Sequence, residues 1–425
     1  IFNVCWPMYA AMPAILKDAI ERAYTSAGWD LIKSENRYSI ELFPTFGDVM
    51  IQIKQVLNES DYSSDNKGDY IGSLVTRMRS LTNGINGVIF QADEISAEEL
   101  FDKNVIVDIS RVGSSETKAL IMGILVLKLQ EHRMTNKNPD SDLAHVTVLE
   151  EAHNLLRRTS TEQSSESSNL LGKSVEMLSN AIAEMRTYGE GFIIADQSPG
   201  LLDMSVIRNT NTKIIMNLPD FDDRELVGRA AGLKDEQIVE IAKLPTGVAA
   251  VYQNKWIEAV LCKIDKYDTK CKEYRLETNL NKLDTSNTTK VIEYLLSNIN
   301  EIEPQVNDIE KLKKSVIGAD ILSSIKLELL RHISLNKKMN REKVGKFITY
   351  IVDRDNNIFE RANSSDNIEE WNSRLIQEMT IQTDSMSIEL LNSILECLIH
   401  FRSLENPHDV ENFNRWMEYM GRNVI

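Results

Sequence analysis

The sequence predicts an α/β protein, in which a mainly parallel sheet with its helices is followed by an all-helical domain. Three observations carry that expectation. Between residues 100 and 264, short apolar β-favouring runs alternate with amphipathic helical patterns, the order that builds a parallel sheet. Two of those runs, HVTVLEEAHN at 145–154 and GFIIADQ at 191–197, end abruptly in carboxylates and an amide. From residue 291 onward the apolar positions recur only at helical spacing.

Composition bounds the class of molecule. At 425 residues the chain is long enough for two or three domains, each with its own core. Its 42% hydrophobic and 26% charged residues are those of a globular protein. Apolar runs stay short of the roughly 18 residues that a membrane span needs, and a cytoplasmic protein is expected. Cys5, Cys262, Cys271 and Cys397 form no CxxC pair and the histidines never join them at ligand spacing, so reduced thiols and no structural zinc are expected. A net charge of −16 is the wrong sign for a protein that coats nucleic acid along its outer surface, though a basic pore inside a ring is compatible with it.

Residues 1–99 read as a helical insert and the start of the core region. Ile15, Leu16, Ala19, Ile20, Ala23 and Tyr24 recur at helical spacing within Met12–Trp29, and Gly28 supplies the stop. Pro44–Leu57 and Tyr70–Leu81 predict two more helices joined by a polar loop, and Leu81–Phe90 reads as a Gly- and Asn-rich turn region.

Within 100–264, NVIVDIS at Asn104–Ser110 predicts a buried strand, Lys118–His132 a long amphipathic helix and Val146–Leu149 a second strand buried on both faces. Strand, helix, strand in that order makes a right-handed βαβ unit. Asp108 either faces the site or is a surface aspartate. The polar run TSTEQSSESSN at 159–169 predicts a mobile loop, Leu170–Tyr188 a helix ended by Gly189 and Gly191, and Gly191–Asp196 a third buried strand. Thr212–Leu218 reads as a fourth strand, Asp222–Ala231 and Lys234–Leu244 as helices, and Gly247–Gln253 with Trp256–Lys263 as a closing hairpin.

The chemistry concentrates where the strands end. Glu150 and Glu151 place two charges at the exit of an apolar strand, an expensive position unless water, a cation or partners meet them. In a Walker B reading, Glu150 holds the Mg²⁺ of a bound nucleotide through its water shell and Glu151 polarises the attacking water. A solvated Glu pair before a helix start is the plainer alternative. Gln197 leaves the next strand at the same carboxyl edge, where an amide that both donates and accepts can orient water or read a γ-phosphate.

No GxxxxGK[ST] phosphate loop follows a predicted strand. The partial match Leu171-Gly172-Lys173-Ser174 has Ser167 where the first glycine belongs and opens a helical pattern. Residues 265–290 read as a linker, and 291–425 as a helical domain of about five helices with Trp371, Trp416 and Tyr419 in its core.

The order NVIVDIS, VTVLEEAHNLL, EMRTYGEGFIIADQSP, VIRNTNTKIIMNLPD resembles the HerA and FtsK group of P-loop ATPases, with their conjugation and type IV secretion relatives, over residues 100–264. GSLVTRMRSLTNGINGVIF is similar to the helical segment that secretion-type members place before this strand. The resemblance implies a RecA-like core, ATP and Mg²⁺ as cofactors, a hexameric ring, and double-stranded DNA or, less often, protein as the thing moved. Matched by position, Glu150 is the magnesium-side acid, Glu151 the catalytic glutamate and Gln197 the sensor glutamine, while the family's Walker A belongs upstream of the residues given. Two function classes stay open: a DNA motor, alone or beside a nuclease or other effector in a restriction or phage-defence assembly, and an oligomeric scaffold or switch that acts on a protein effector through its helical domain. Arg186, in EMRTYG, is a candidate arginine finger reaching a neighbouring subunit or else a cap on its own helix, with Arg208 and Arg224 as rivals nearer the strand exits.

Overall fold

The computed structural model describes the chain except residues 7, 93, 159–169, 268–285, 300–305, 336–337, 354–357, 363–366, 380, 382–385 and 422–425. The polar run 159–169, Ser167, Cys271 and most of the expected linker therefore lie outside the described residues.

In chain order the elements are α1 (Phe2–Cys5), α2 (Met12–Ser26), the short pair β1 (Trp29–Asp30) and β2 (Glu35–Asn36), α3 (Phe46–Glu59), α4 (Ser64–Thr82), α5 (Gly84–Ile89), α6 (Ala97–Phe101) and α7 (Ser115–Asn136). Then come β3 (His145–Glu150), α8 (Leu170–Glu184), β4 (Glu190–Ala195), α9 (Met204–Asn209), β5 (Thr212–Ile215), α10 (Phe221–Ala230), α11 (Asp235–Ile241), β6 (Val248–Gln253) and β7 (Val260–Lys263). The remainder is helical: α12 (Ser286–Ile299), α13 (Val306–Gly318), α14 (Ser323–Ser334), α15 (Arg341–Val352), α16 (Ile358–Ala362), α17 (Ile368–Glu378), α18 (Ile388–Glu405) and α19 (Val410–Tyr419). The stretch expected as a turn region at 81–90 contains α5, and the C-terminal part has eight α-helices among the described residues where about five are expected. No described helix is long and apolar enough to cross a membrane.

The chain divides into two compact units, one of residues 1–13 and 95–275 and the other of 14–94 and 276–425. In the first, β3 pairs with β4 in parallel from His145↔Glu190 to Glu150↔Ala195. The α7 and α8 faces cover one side of this pair through Met122, Val126, Leu129, Leu149, Leu178 and Ile182. Leu155 and Leu156, on the turn after β3, are fully buried in the same cluster, each contributing about 1.5–3 kcal/mol by burial. A three-stranded antiparallel sheet, β5-β6-β7, packs Ile215 and Ala250 against Leu233, Ile238 and Ile241.

Three expectations need correction. Asn104–Ile109 forms no ladder: Val105, Ile106 and Val107 are exposed, Ile106 at 95%. A strand exists only where a partner backbone takes its N–H and C=O groups, and no described segment does so here. For the same reason the sheet is less parallel than expected, with β3-β4 the one parallel pair among the described residues. The strands β3 and β4 are buried on one face only, since Val146, Val148 and Ile193 stand exposed on the other. Apolar composition alone cannot tell a covered face from an open one.

A buried ionic network ties the amino ends of this parallel pair to α7. The Glu190 carboxylate, fully buried, accepts from Arg133 Nε at 2.9 Å and from the Thr147 hydroxyl at 2.6 Å, and meets His145 Nδ1 at 2.8 Å. Arg133 also reaches Asp102 at 2.7 Å and the Phe101 carbonyl. Gly189 enters β4 at φ +77°, where a side chain would collide with the Asp142 carbonyl oxygen.

In the second unit, α3 begins with a capping box between Thr45 and Asp48. The Asp48 carboxylate also accepts the Ser323 N–H and hydroxyl, both at 2.8 Å, which fastens residues 14–94 to the C-terminal helices inside one body. Val291, Leu295, Phe347, Ile351, Trp371, Leu398 and Trp416 form its shared core, and Trp416 Nε1 donates to Asn372 at 2.8 Å. Tyr419, expected in that core, stands 43% exposed.

Candidate active site

The site is built where β3 and β4 end together. Because the two strands run parallel and in register, with Glu150 opposite Ala195, the residues that follow each strand emerge at one edge. Glu150 closes β3 on its exposed face. Glu151 turns sharply away, at φ 48° and ψ 48°, into a single 3₁₀ turn over Ala152–Asn154. The Glu151 carbonyl accepts from Asn154 N–H at 3.0 Å and from Asn154 Nδ2 at 2.9 Å, while Ala152 beneath is fully buried.

From the other strand, Gln197 Nε2 donates to Glu151 Oε1 at 2.9 Å. Asp196 beside it turns inward, with its side chain 3% exposed. It accepts the His153 N–H at 2.9 Å and the Ser198 N–H at 2.9 Å, and sits 2.9 Å from His153 Nδ1. That same Nδ1 lies 3.5 Å from Glu151 Oε2. Glu151, His153 and Asp196 each bring a donor atom within 4.8 Å of the others, a grouping that could hold a cation, and Glu150 stands outside it.

The structure thus brings Glu151 and Gln197 into contact, with Glu150 adjacent on the open face. His153, Asp196 and Asn154 escaped the sequence reading. Their signal was slight: each is a polar residue immediately after an apolar strand, and only the closing of one turn onto the other shows what it holds.

The arginines separate. Arg186 is exposed on the 3₁₀ turn Met185–Tyr188 that feeds the amino end of β4, at the other end of the strand from Gln197. Arg208, in the last turn of α9, is exposed and lines an open groove of ≈ 780 Å³ with Arg158, Asp222 and Arg229. Arg224 is 9% exposed and donates to the Leu218 carbonyl at 3.0 Å and to that of Pro219, so it clamps its own loop and is no longer a rival finger. Asp108, in the unpaired segment, accepts the Ser110 N–H at 2.8 Å, and its bonds to the Ser110 side chain and backbone hold its carboxyl below the usual carboxylate range. It closes a surface turn. Gly172, Lys173 and Ser174 lie within the helix α8 and not on a loop that leads out of a strand, as a phosphate loop would.

No protein-family model matches the chain. It is 23% identical over 242 residues to the DNA double-strand break repair helicase HerA of Sulfurisphaera tokodaii, across 56% of this chain and 46% of that protein. It is 27% identical over 168 residues to the same-named protein of Sulfolobus acidocaldarius, across 39% of this chain and 32% of that one. The chain therefore spans less than half the length of these curated relatives. Among solved structures, VirB4 of Thermoanaerobacter pseudethanolicus aligns with a TM-score of 0.43 at 13% identity, covering 63% of this chain and 67% of that one.

Proposed function

We infer, from a chain that resembles the HerA and VirB4 P-loop ATPases, that residues 100–264 form the acid-bearing part of a RecA-like core that hydrolyses ATP with Mg²⁺. The observation that carries this reading is the 2.9 Å bond from Gln197 to Glu151 at the carboxyl edge of a parallel strand pair. Glu151 takes the proton from the attacking water, and Gln197 holds that water and its carboxylate in line. Glu150, adjacent on the open face, would hold the metal through its water shell. Glu150, Glu151 and Gln197 make an oxygen-bearing edge, the kind of donor set that a hard cation such as Mg²⁺ takes. Bound Mg²⁺-ATP supplies the phosphoryl group that is transferred. The sequence contains no GxxxxGK[ST] motif, so the reading requires a phosphate loop from outside these 425 residues.

We further assign the assembly as a hexameric ring that moves along double-stranded DNA in the cytoplasm. The helicase relatives support the substrate, and the −16 net charge is compatible with DNA held inside a ring rather than along the outer surface. The second reading is an oligomeric scaffold or switch that presents its C-terminal helical domain, residues 291–425, to a protein effector. Arg186 or Arg208 acts on a neighbour's phosphates.

The test is Glu151→Gln in the full-length protein. Nucleotide binding persists while hydrolysis falls by about 100-fold or more, because the amide keeps the shape and loses the base. Near wild-type turnover overturns the assignment. Stimulation by duplex DNA favours the motor, and stimulation by a protein partner alone favours the scaffold.

A further inference from the structure

We propose that Asp196 and His153 are positioning residues that lock Glu151 in place, an inference that rests on reading Glu151 as the water-activating group. Glu151 leaves β3 at φ 48°, in the left-handed region that a residue with a side chain keeps only when its surroundings over-determine it. Two sets of bonds do so. Asn154 grips the Glu151 carbonyl twice, through its N–H at 3.0 Å and Nδ2 at 2.9 Å. Asp196 grips the next part of the turn, taking the His153 N–H and meeting Nδ1, both at 2.9 Å.

The Asp196 carboxylate also takes the Ser198 N–H at 2.9 Å. One buried group thus joins the turn after β3 to the turn after β4. Glu151 stands on the first turn and Gln197 on the second, yet the Glu151 side chain is 44% exposed and has little packing of its own to aim it. The His153 ring supplies a second contact, with Nδ1 3.5 Å from Glu151 Oε2, the carboxylate oxygen that Gln197 does not take. Held between imidazole and amide, the carboxylate keeps one orientation. Loss of either inner residue leaves nucleotide contacts intact and lets the base swing, an error that costs rate rather than affinity.

The experiment measures single-turnover hydrolysis and, separately, binding of a fluorescent nucleotide for His153→Ala, Asp196→Ala, Asp196→Asn and the His153→Ala/Asp196→Ala double variant of the full-length protein. His153→Ala and Asp196→Ala should each slow hydrolysis by about 10- to 100-fold with affinity changed less than about twofold. The double variant should be no slower than the slower single one, since both residues act through one linkage. Asp196→Asn should keep part of the rate, because its Oδ1 still accepts a backbone N–H. If Asp196→Ala does not fold, His153→Ala and Asp196→Asn decide. A His153→Ala rate at the wild-type level, losses that multiply in the double variant, or affinity falling in step with rate would each overturn the lock. Glu151→Gln run alongside separates the two readings: an active Glu151→Gln removes the base itself, whereas an inert one beside wild-type His153→Ala removes only the lock.

Discussion

Gln197 donates from Nε2 to Glu151 Oε1 at 2.9 Å, joining two strand exits that lie 46 residues apart in the chain. An exposed glutamine has water as an easy partner, so a direct bond to a carboxylate places it where it senses any change in the charge of Glu151. Gln197→Ala should slow turnover by about 10- to 100-fold while leaving nucleotide affinity near its original value, and Gln197→Glu should be worse than Gln197→Ala through like-charge repulsion. Paired rate and binding measurements check the order. A Gln197→Ala protein with unchanged turnover would detach this residue from the chemistry.

Arg186 sits on the turn that precedes β4, and the six residues of that strand place it roughly 20 Å from the edge that carries Gln197. It cannot easily serve its own site. In a ring it could reach a neighbour, so mixing Arg186→Ala subunits with Glu151→Gln subunits should restore part of the activity at interfaces that pair an intact Arg186 with an intact Glu151. Assembled mixed rings without recovery point to Arg208 instead, whose exposed guanidinium lines the groove beside Asp222.

Arg133 is 2% exposed and holds the fully buried Glu190. Arg133→Ala strands that carboxylate and should destabilise the protein by about 3–5 kcal/mol in denaturant titration. Arg133→Lys, which cannot reach Glu190, Asp102 and the Phe101 carbonyl together, should recover little. The same network sets an acid limb. The Arg133 guanidinium, then His132, hold the Asp102 carboxyl below its ordinary range. A depressed folded-state pKa stabilises above the unfolded value of about 4 and is lost as pH falls through the folded value, so Asp102→Asn should flatten stability against pH below about 4 while changing little in that slope at pH 7.

Asp48 and Ser323, 275 residues apart, share two hydrogen bonds at 2.8 Å in a buried setting. Asp48→Ala removes the α3 capping box and leaves the Ser323 N–H without its acceptor, which should cost about 2–4 kcal/mol. Hydrogen exchange should then quicken together in α3 and α14. Faster exchange confined to α3 would show that the Ser323 contact contributes nothing.

Local physics was legible in the sequence. Helical periodicity located α2, α7 and α8, and short apolar β-favouring runs located β3, β4 and the β6-β7 hairpin, to within a few residues. The sharp change from VTVL to EE, and from GFIIA to DQ, marked the edge where the chemistry gathers. Tertiary structure alone decided the rest. Asn104–Ile109 has the composition of a strand but no ladder among the described residues, since pairing depends on a partner that the segment itself does not encode. Residues 14–94 and 276–425 join one unit through contacts such as Asp48 with Ser323 that no local window contains. His153 and Asp196 meet for the same reason: 43 residues separate them, and only the register of β3 against β4 closes that distance to 2.9 Å.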